Sequence, residues 1–388
     1  MFFVQVINRM GDFVAPFLTL LLTRRLGYSE ARAGVWVTVT VISGLLGILA
    51  AGRISDSYGR KPVLAAGMGI SAVLIAAGGF FPQNPLIIYF LVLMSFFQGM
   101  VRPAIAALIA DLTCPEERKD AYALNYLGIN VGVALGLTLA GFLFEHNLHL
   151  LFWIDSFSSF AALALIFIYI PKTCTLHFSH NIEKSGDEKH QDGSALKAFF
   201  KRPLLAFFCL LLMIVNIIYS QTHFALPLYT GKLFNERGAL IYGWLMSCNA
   251  LVVVTLTPIV SHLTRKQGPE ASMSLGTALY SFGFAMMAFP LTLPLLFFST
   301  FIWTIGEILF SINTGVYMAA KTPGNLRGQF QAYREFITSL GRMAAPLLAG
   351  LLISGLGIYV MWIATASLGL LAVIGFIFLD RAEKPIVY

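Results

Sequence analysis

The stretch Ala51-Gly52-Arg53-Ile54-Ser55-Asp56-Ser57-Tyr58-Gly59-Arg60-Lys61-Pro62 decides the fold. It is a short polar turn between two long apolar runs, 33–52 and 63–81. Gly52 and Gly59 let the chain reverse within a few residues. Arg60 and Lys61 hold the turn on the cytoplasmic side of a bilayer, where Lys and Arg accumulate. Asp56 is placed to meet a helix N-terminus or a basic partner.

The whole chain agrees with that reading. Of its 388 residues 57% are hydrophobic and 12% charged, against about 25% charged in soluble domains. Such a chain cannot cover its surface with polar groups, so its apolar excess faces lipid. The net charge of +7 is spread over alternate loops instead of forming a basic patch interleaved with aromatics, which excludes a nucleic-acid partner. The cysteines Cys114, Cys174, Cys209 and Cys248 form no CxxC, so neither a disulfide framework nor a zinc site is expected. Cys174, His177 and His180 read as part of a solvated loop. There is no GxxxxGK[ST] loop and no nucleophile–base constellation outside the apolar runs, so neither ATP-driven transport nor an enzyme is expected. The first apolar run begins almost at Met1 and reads as a spanning helix, not a cleaved leader.

A helix needs about 20 apolar residues to cross the hydrocarbon. The sequence supplies twelve such runs, near 2–23, 33–52, 63–81, 86–110, 121–144, 150–170, 204–229, 239–260, 272–291, 294–317, 331–354 and 358–379. The polar stretch 171–203 reads as a cytoplasmic linker between two six-helix bundles, 1–170 and 204–380, followed by a short tail at 381–388. One set of loops is rich in Lys and Arg, and the other holds only Arg24, Arg25, Arg32, Lys232 and Arg237. Both termini are therefore expected in the cytoplasm, in a multi-pass protein of the plasma (inner) membrane. The halves repeat at a shift of 209 places, which lays Arg118, Gly132 and Gly141 over Arg327, Gly341 and Gly350. Parallel six-helix repeats are a transporter architecture with a site at the midplane between halves.

Ionisable groups inside a bilayer cost several kcal/mol unless paired, so each one is a functional candidate. Asp12 (span 1), Arg102 (span 4), Glu307 (span 10) and Arg342 (span 11) form the set expected to couple to protons. Similar depth suggests the pairs Asp12–Arg102 and Glu307–Arg342. Arg9, Arg334 and Glu335 are shallower and are read as snorkelling. Glu307 suits the proton role best, with Gly306 thinning the helix beside it. Polar groups expected to line a substrate cavity are Asn125 and Asn130 on span 5, Asn216, Tyr219, Gln221 and His223 on span 7, and Asn313 on span 10. Gly128, Gly132 and Gly136 share one face of span 5, followed by Gly141, and permit close helix contact that could serve as packing or as a seal.

The turn at 52–64 resembles the signature loop of the major facilitator superfamily, G-x-L-a-D-r-x-G-r-K-x-x-L, with Leu64 in the last slot. Arg102-Pro103, the run Ala107-Leu108-Ile109-Ala110-Asp111-Leu112, and Arg118 extend the resemblance. Within the superfamily the chain resembles the twelve-helix drug:proton antiporters, although Leu137 and Ala140 replace a proline and a glycine of their span-5 pattern. The resemblance implies an all-α membrane protein with twelve transmembrane helices in two pseudo-symmetric six-helix bundles. It implies a conformational gate made of Gly52, Asp56, Gly59, Arg60, Lys61 and Asp111, in which Asp56 caps span 11 and Arg60 pairs with Asp111. It also places Asp12, Arg102, Gln221 and Glu307 around the substrate. The expected activity is proton-coupled efflux of amphipathic or lipophilic small molecules, by a monomer among membrane lipids, with the proton gradient as energy source and no cofactor. The alternatives are a proton symporter importing a peptide, sugar or organic acid, and a sensor or lipid flippase of the same fold.

Overall fold

The computed structural model describes residues 2–113, 117–169, 202–321 and 327–383, apart from some side chains next to the breaks and those at Gly52, Arg53 and Asp56. Fourteen helices build twelve spans among the described residues. They are α1 (Phe2–Met10), α2 (Val14–Leu20), α3 (Glu30–Tyr58), α4 (Arg60–Phe80), α5 (Ile87–Leu112), α6 (Arg118–His146) and α7 (Leu148–Tyr169) in the first half. The second half holds α8 (Pro203–Tyr219), α9 (Gln221–Phe234), α10 (Gly238–Leu263), α11 (Pro269–Met286), α12 (Leu293–Lys321), α13 (Arg327–Leu356) and α14 (Ile358–Glu383). A bilayer interior offers the backbone no hydrogen-bond partner, so apolar runs of this length must be helical. Ten stretches of the described residues are long and apolar enough to cross a membrane; one of them, Pro203–Leu263, holds two spans back to back, and α11, which is not among the ten, makes the twelfth. Large apolar side chains such as Leu49, Phe157, Ile168 and Leu371 are exposed on the outside, the surface a protein in lipid requires. Most of the expected linker at 171–203, and the tail beyond Glu383, lie outside the described residues.

Several helices run further than the hydrophobic runs suggested. α3 extends to Tyr58 and α12 to Lys321, because polar residues can continue a helix beyond the hydrocarbon. Two spans are interrupted where the sequence reading had them continuous. Span 1 breaks at Gly11-Asp12-Phe13, because Pro16 has no N–H and its ring clashes with the carbonyl four residues earlier, at Asp12. A π-helical turn, Leu21–Arg25, completes this span. Span 7 breaks at Ser220, between α8 and α9.

The halves obey the sequence repeat down to single contacts. A Cβ on Gly141 would lie 2.6 Å from the Ala239 carbonyl oxygen, and one on Gly350 would lie 2.5 Å from that of Glu30. These four residues correspond pairwise under the same 209-place shift, with the roles of the halves exchanged. Gly243 against Leu137 and Gly34 against Pro346 form a second matched set. Both sets sit where α6 crosses α10 and α3 crosses α13, the main contacts between the bundles together with α2 against α9. All lie toward the end away from the Gly59 turn. Thr38 Oγ1 donates to the Met343 carbonyl at 3.0 Å, and Thr138 Oγ1 to Ser247 Oγ at 3.0 Å. The bundles are thus sealed at this far end. Toward the turn end the facing surfaces diverge, leaving Arg102, Tyr126 and Glu335 exposed.

Candidate functional site

Glu307 lies on α12 within a node of neutral donors. Tyr219, the last residue of α8, donates its hydroxyl to Oε1 at 2.9 Å. Asn249 of α10 donates to Oε2 at 2.8 Å and to Thr304 Oγ1 at 3.0 Å. No basic side chain among the described residues lies within ion-pairing distance of this carboxylate. Tyr126 of α6 is within electrostatic reach of it from the other bundle. Gly306 supports the arrangement from behind. A Cβ there would fall 2.5 Å from the Gly276 carbonyl oxygen, so α11 and α12 cross at a distance only glycine allows. The sequence expectation of a Glu307–Arg342 pair is corrected, since Arg342 donates to Glu335 and, at 2.7 Å, to Ser339 Oγ on its own helix. Equal depth along two helices does not make their faces meet.

The second expected pair is corrected as well. Asp12 is held by Arg9, one turn earlier on span 1. Arg9 is thus an ion-pair partner and not a snorkelling residue, because the break brings Asp12 back over its own helix end. A carboxylate missing from the sequence set, Asp155 of α7, completes this corner. Its Oδ2 accepts from the backbone N–H groups of Phe13 at 3.0 Å and Val14 at 2.9 Å, and the side chain is buried. Helix N-termini carry unsatisfied N–H groups and partial positive charge, and Asp155 satisfies both. The signal was present as an acid in the apolar run Leu151-Phe152-Trp153-Ile154-Asp155. Asn249 was missed for a similar reason, as a small amide in an apolar span.

Arg102 of α5 is exposed, and it makes no hydrogen bond or ion pair among the described residues. It feels the charges of Arg9, Arg342 and Glu335, so it faces the gap between bundles. A cavity of about 340 Å³ lies in that gap, on the sealed side of these charges. Its walls come from α2, α3, α5, α9 and α13, with His223, Ser95 and Arg342 among them.

The remaining residues expected to line a cavity divide. Tyr219 and His223 reach the node or the cavity. Asn125 accepts from Gln5 Nε2 at 3.1 Å and ties α6 to α1. Asn130, Asn216 and Asn313 each donate to the carbonyl one turn back, at 2.9, 2.8 and 2.8 Å respectively. Gln221 is buried between α9 and α13, donating to the Ile217 and Ala345 carbonyls. Gly128, Gly132 and Gly136 pack on α1 within one bundle, and only Gly141 belongs to the seal. At the turn, Gly59 has φ 85° and ψ 166°, a conformation that favours glycine. Lys61 is buried, with its ammonium 5.1 Å from the centre of the Phe167 ring. The side chains of Gly52, Asp56 and Asp111 lie outside the described residues, as therefore do the Asp56 cap and the Arg60–Asp111 pair.

The sequence profile of the Major Facilitator Superfamily matches residues 1–269 and 234–387, which together span nearly the entire chain. The chain belongs to the major facilitator superfamily. Among superfamily members it is 26% identical over 360 residues to the uncharacterized MFS-type transporter YqjV of Bacillus subtilis (strain 168), covering 91% of this chain and 85% of that protein. It is 25% identical over 361 residues to the Na(+), Li(+), K(+)/H(+) antiporter of Planococcus maritimus, covering 86% of this chain and 84% of the other. A crystal structure of a POT family transporter in complex with 5-aminolevulinic acid superposes with a TM-score of 0.75 at 15% identity, covering 100% of this chain and 96% of that one. This superfamily protein is therefore a secondary transporter and not an enzyme.

Proposed function

We propose that this transporter exports amphipathic or lipophilic small molecules by alternating access, in exchange for protons entering onto Glu307. The carrying observation is that, among the described residues, the Glu307 carboxylate is held by neutral donors alone, Tyr219 and Asn249. An ionised carboxylate without a cation is costly at membrane depth, and taking up a proton removes that charge without breaking an ion pair. A protonated carboxyl accepts the same two hydrogen bonds less strongly. Protonation therefore loosens α12 from α8 and α10, and the bundles rock about the cavity. Loss of the proton to the cytoplasm resets them. Asp12, Arg102 and Arg342 set the potential around this step, and the 52–61 turn with Asp111 gates the turn end. The proton antiport named for the Planococcus relative supports the coupling.

The test is the protein reconstituted in vesicles with an imposed pH gradient. Glu307→Gln keeps the shape and an oxygen acceptor but cannot exchange a proton. It is expected to lower gradient-driven transport of a lipophilic dye by at least about tenfold while leaving thermal unfolding unchanged. Unaltered gradient-driven transport in E307Q removes Glu307 from the mechanism. The direction of dye movement under an inward proton gradient separates export from import.

A further inference from the structure

We infer that the cavity between the bundles seats an amphipathic organic anion, its acidic group on Arg102 with Arg342 beside it. This deepens the transport reading by giving its substrate a charge, and it rests on the geometry of the cavity. Arg9 is neutralised by Asp12. Glu335 lies between two guanidinium groups, its Oε1 accepting from Arg342 and its Oε2 3.7 Å from Arg334, so it offsets only one of them. Arg102 has no partner among the described residues, and its electrostatic neighbours include two more arginines. Glu307 is occupied elsewhere by Tyr219 and Asn249, and Asp155 is spent on the N-terminus of α2. The open side of the gap therefore presents a guanidinium group, Arg102, that no carboxylate of the described residues pairs. An incoming anion supplies the missing counter-charge.

The walls specify the rest of the ligand. Ser95 lines the cavity, and Arg102 lies seven residues along α5, on the same face and about 10 Å toward the open end. Arg342 reaches the cavity from α13, and apolar side chains such as Leu18, Val41, Met94 and Phe224 form most of the remainder. A molecule lying along this axis meets apolar wall at the sealed end and guanidinium groups at the open end. A planar guanidinium binds carboxylate or sulfonate in bidentate fashion, which an ammonium cannot do.

The experiment is equilibrium binding to the purified protein in an uncharged detergent, with no gradient. Three probes of one shape are compared, namely 4-phenylbutyrate, 4-phenylbutyramide and 4-phenylbutylamine. The acid is expected to bind at least about tenfold more tightly than the amide, and the amine more weakly still. Arg102→Gln is expected to bring the acid down to the level of the amide without changing the amide, and Arg102→Lys to restore part of the difference. Arg342→Gln gives a second reading of the same preference, with size-exclusion profiles confirming that each variant is folded. Acid and amide binding equally, an acid that fails to bind at millimolar concentration, or an acid preference untouched in R102Q overturns the inference. So does displacement of the acid by equimolar chloride, since a bare ion gains nothing from apolar walls. The assay involves no proton gradient. Its failure leaves the Glu307 coupling standing, and failure of the coupling leaves the ligand class standing.

Discussion

Asp155 shows how one side chain can hold a broken helix open. The gap at Gly11-Asp12-Phe13 exposes backbone N–H groups in a setting without water, and a single carboxylate oxygen accepts from both Phe13 and Val14. Each buried donor left without a partner costs about 1–3 kcal/mol. Asp155→Ala is therefore expected to destabilise the protein by about 2–6 kcal/mol, read as a lower unfolding temperature in detergent. Asp155→Asn retains an acceptor oxygen and is expected to lose clearly less. Equal losses for the two variants would show that packing, not the hydrogen bonds, is what matters at this position. The same residue scale explains why the pairs expected from depth did not form. Depth follows from position along a helix, but pairing depends on rotation about the axis, and Arg342 is bonded along its own helix, to Glu335.

At the scale of elements, prolines and glycines divide the labour. Pro16 breaks span 1, whereas Pro227 in α9 leaves the His223 carbonyl without its helical donor. Thr19 of α2 supplies the replacement at 3.2 Å, so a local defect becomes a link between bundles. The glycines do the opposite and remove bulk. Gly141 has no room for a Cβ against Ala239 and Leu240. Gly141→Val is expected to wedge α6 from α10, weaken the far-end seal and raise the population open at that end. A thiol reagent reaching a cysteine placed at Ser247 faster in G141V than in the parent checks this. Gly136→Val, which crowds α1 inside one bundle, is expected to lower stability without that gain in access. The break in span 1 carried a sequence signal, Pro16 after Gly11-Asp12, but hydropathy averaged over a span hides a break of three residues.

For the whole molecule, the symmetry of the seal has a mechanical meaning. The α3–α13 and α6–α10 crossings are copies of each other, so opening the far end must release both together. Ala31 N donates to Ser354 Oγ at 2.9 Å across the first crossing. Cysteines at Ala31 and Ser354 are therefore expected to cross-link on oxidation, to stop transport, and to release it on reduction. Transport that continues at full rate in the cross-linked protein contradicts rocking about this seam. What stays intact through such motion is each bundle's own core. In the second bundle, Phe284 stacks between Trp303 at 5.9 Å and Trp362 at 5.4 Å.

The sequence alone determined that the chain spans a membrane twelve times in two repeated halves. Span length against hydrocarbon thickness, loop charge and the 209-place repeat are all properties of a line of residues. It also singled out Glu307, because a carboxylate in an apolar run is conspicuous wherever the helix points. Only the tertiary structure decided that Tyr219 and Asn249 hold Glu307, that Asp155 holds the break beside Asp12, and that Arg102 is left with charge to spare. Those outcomes depend on how each helix is turned about its axis and where it is interrupted, and packing against neighbours sets both.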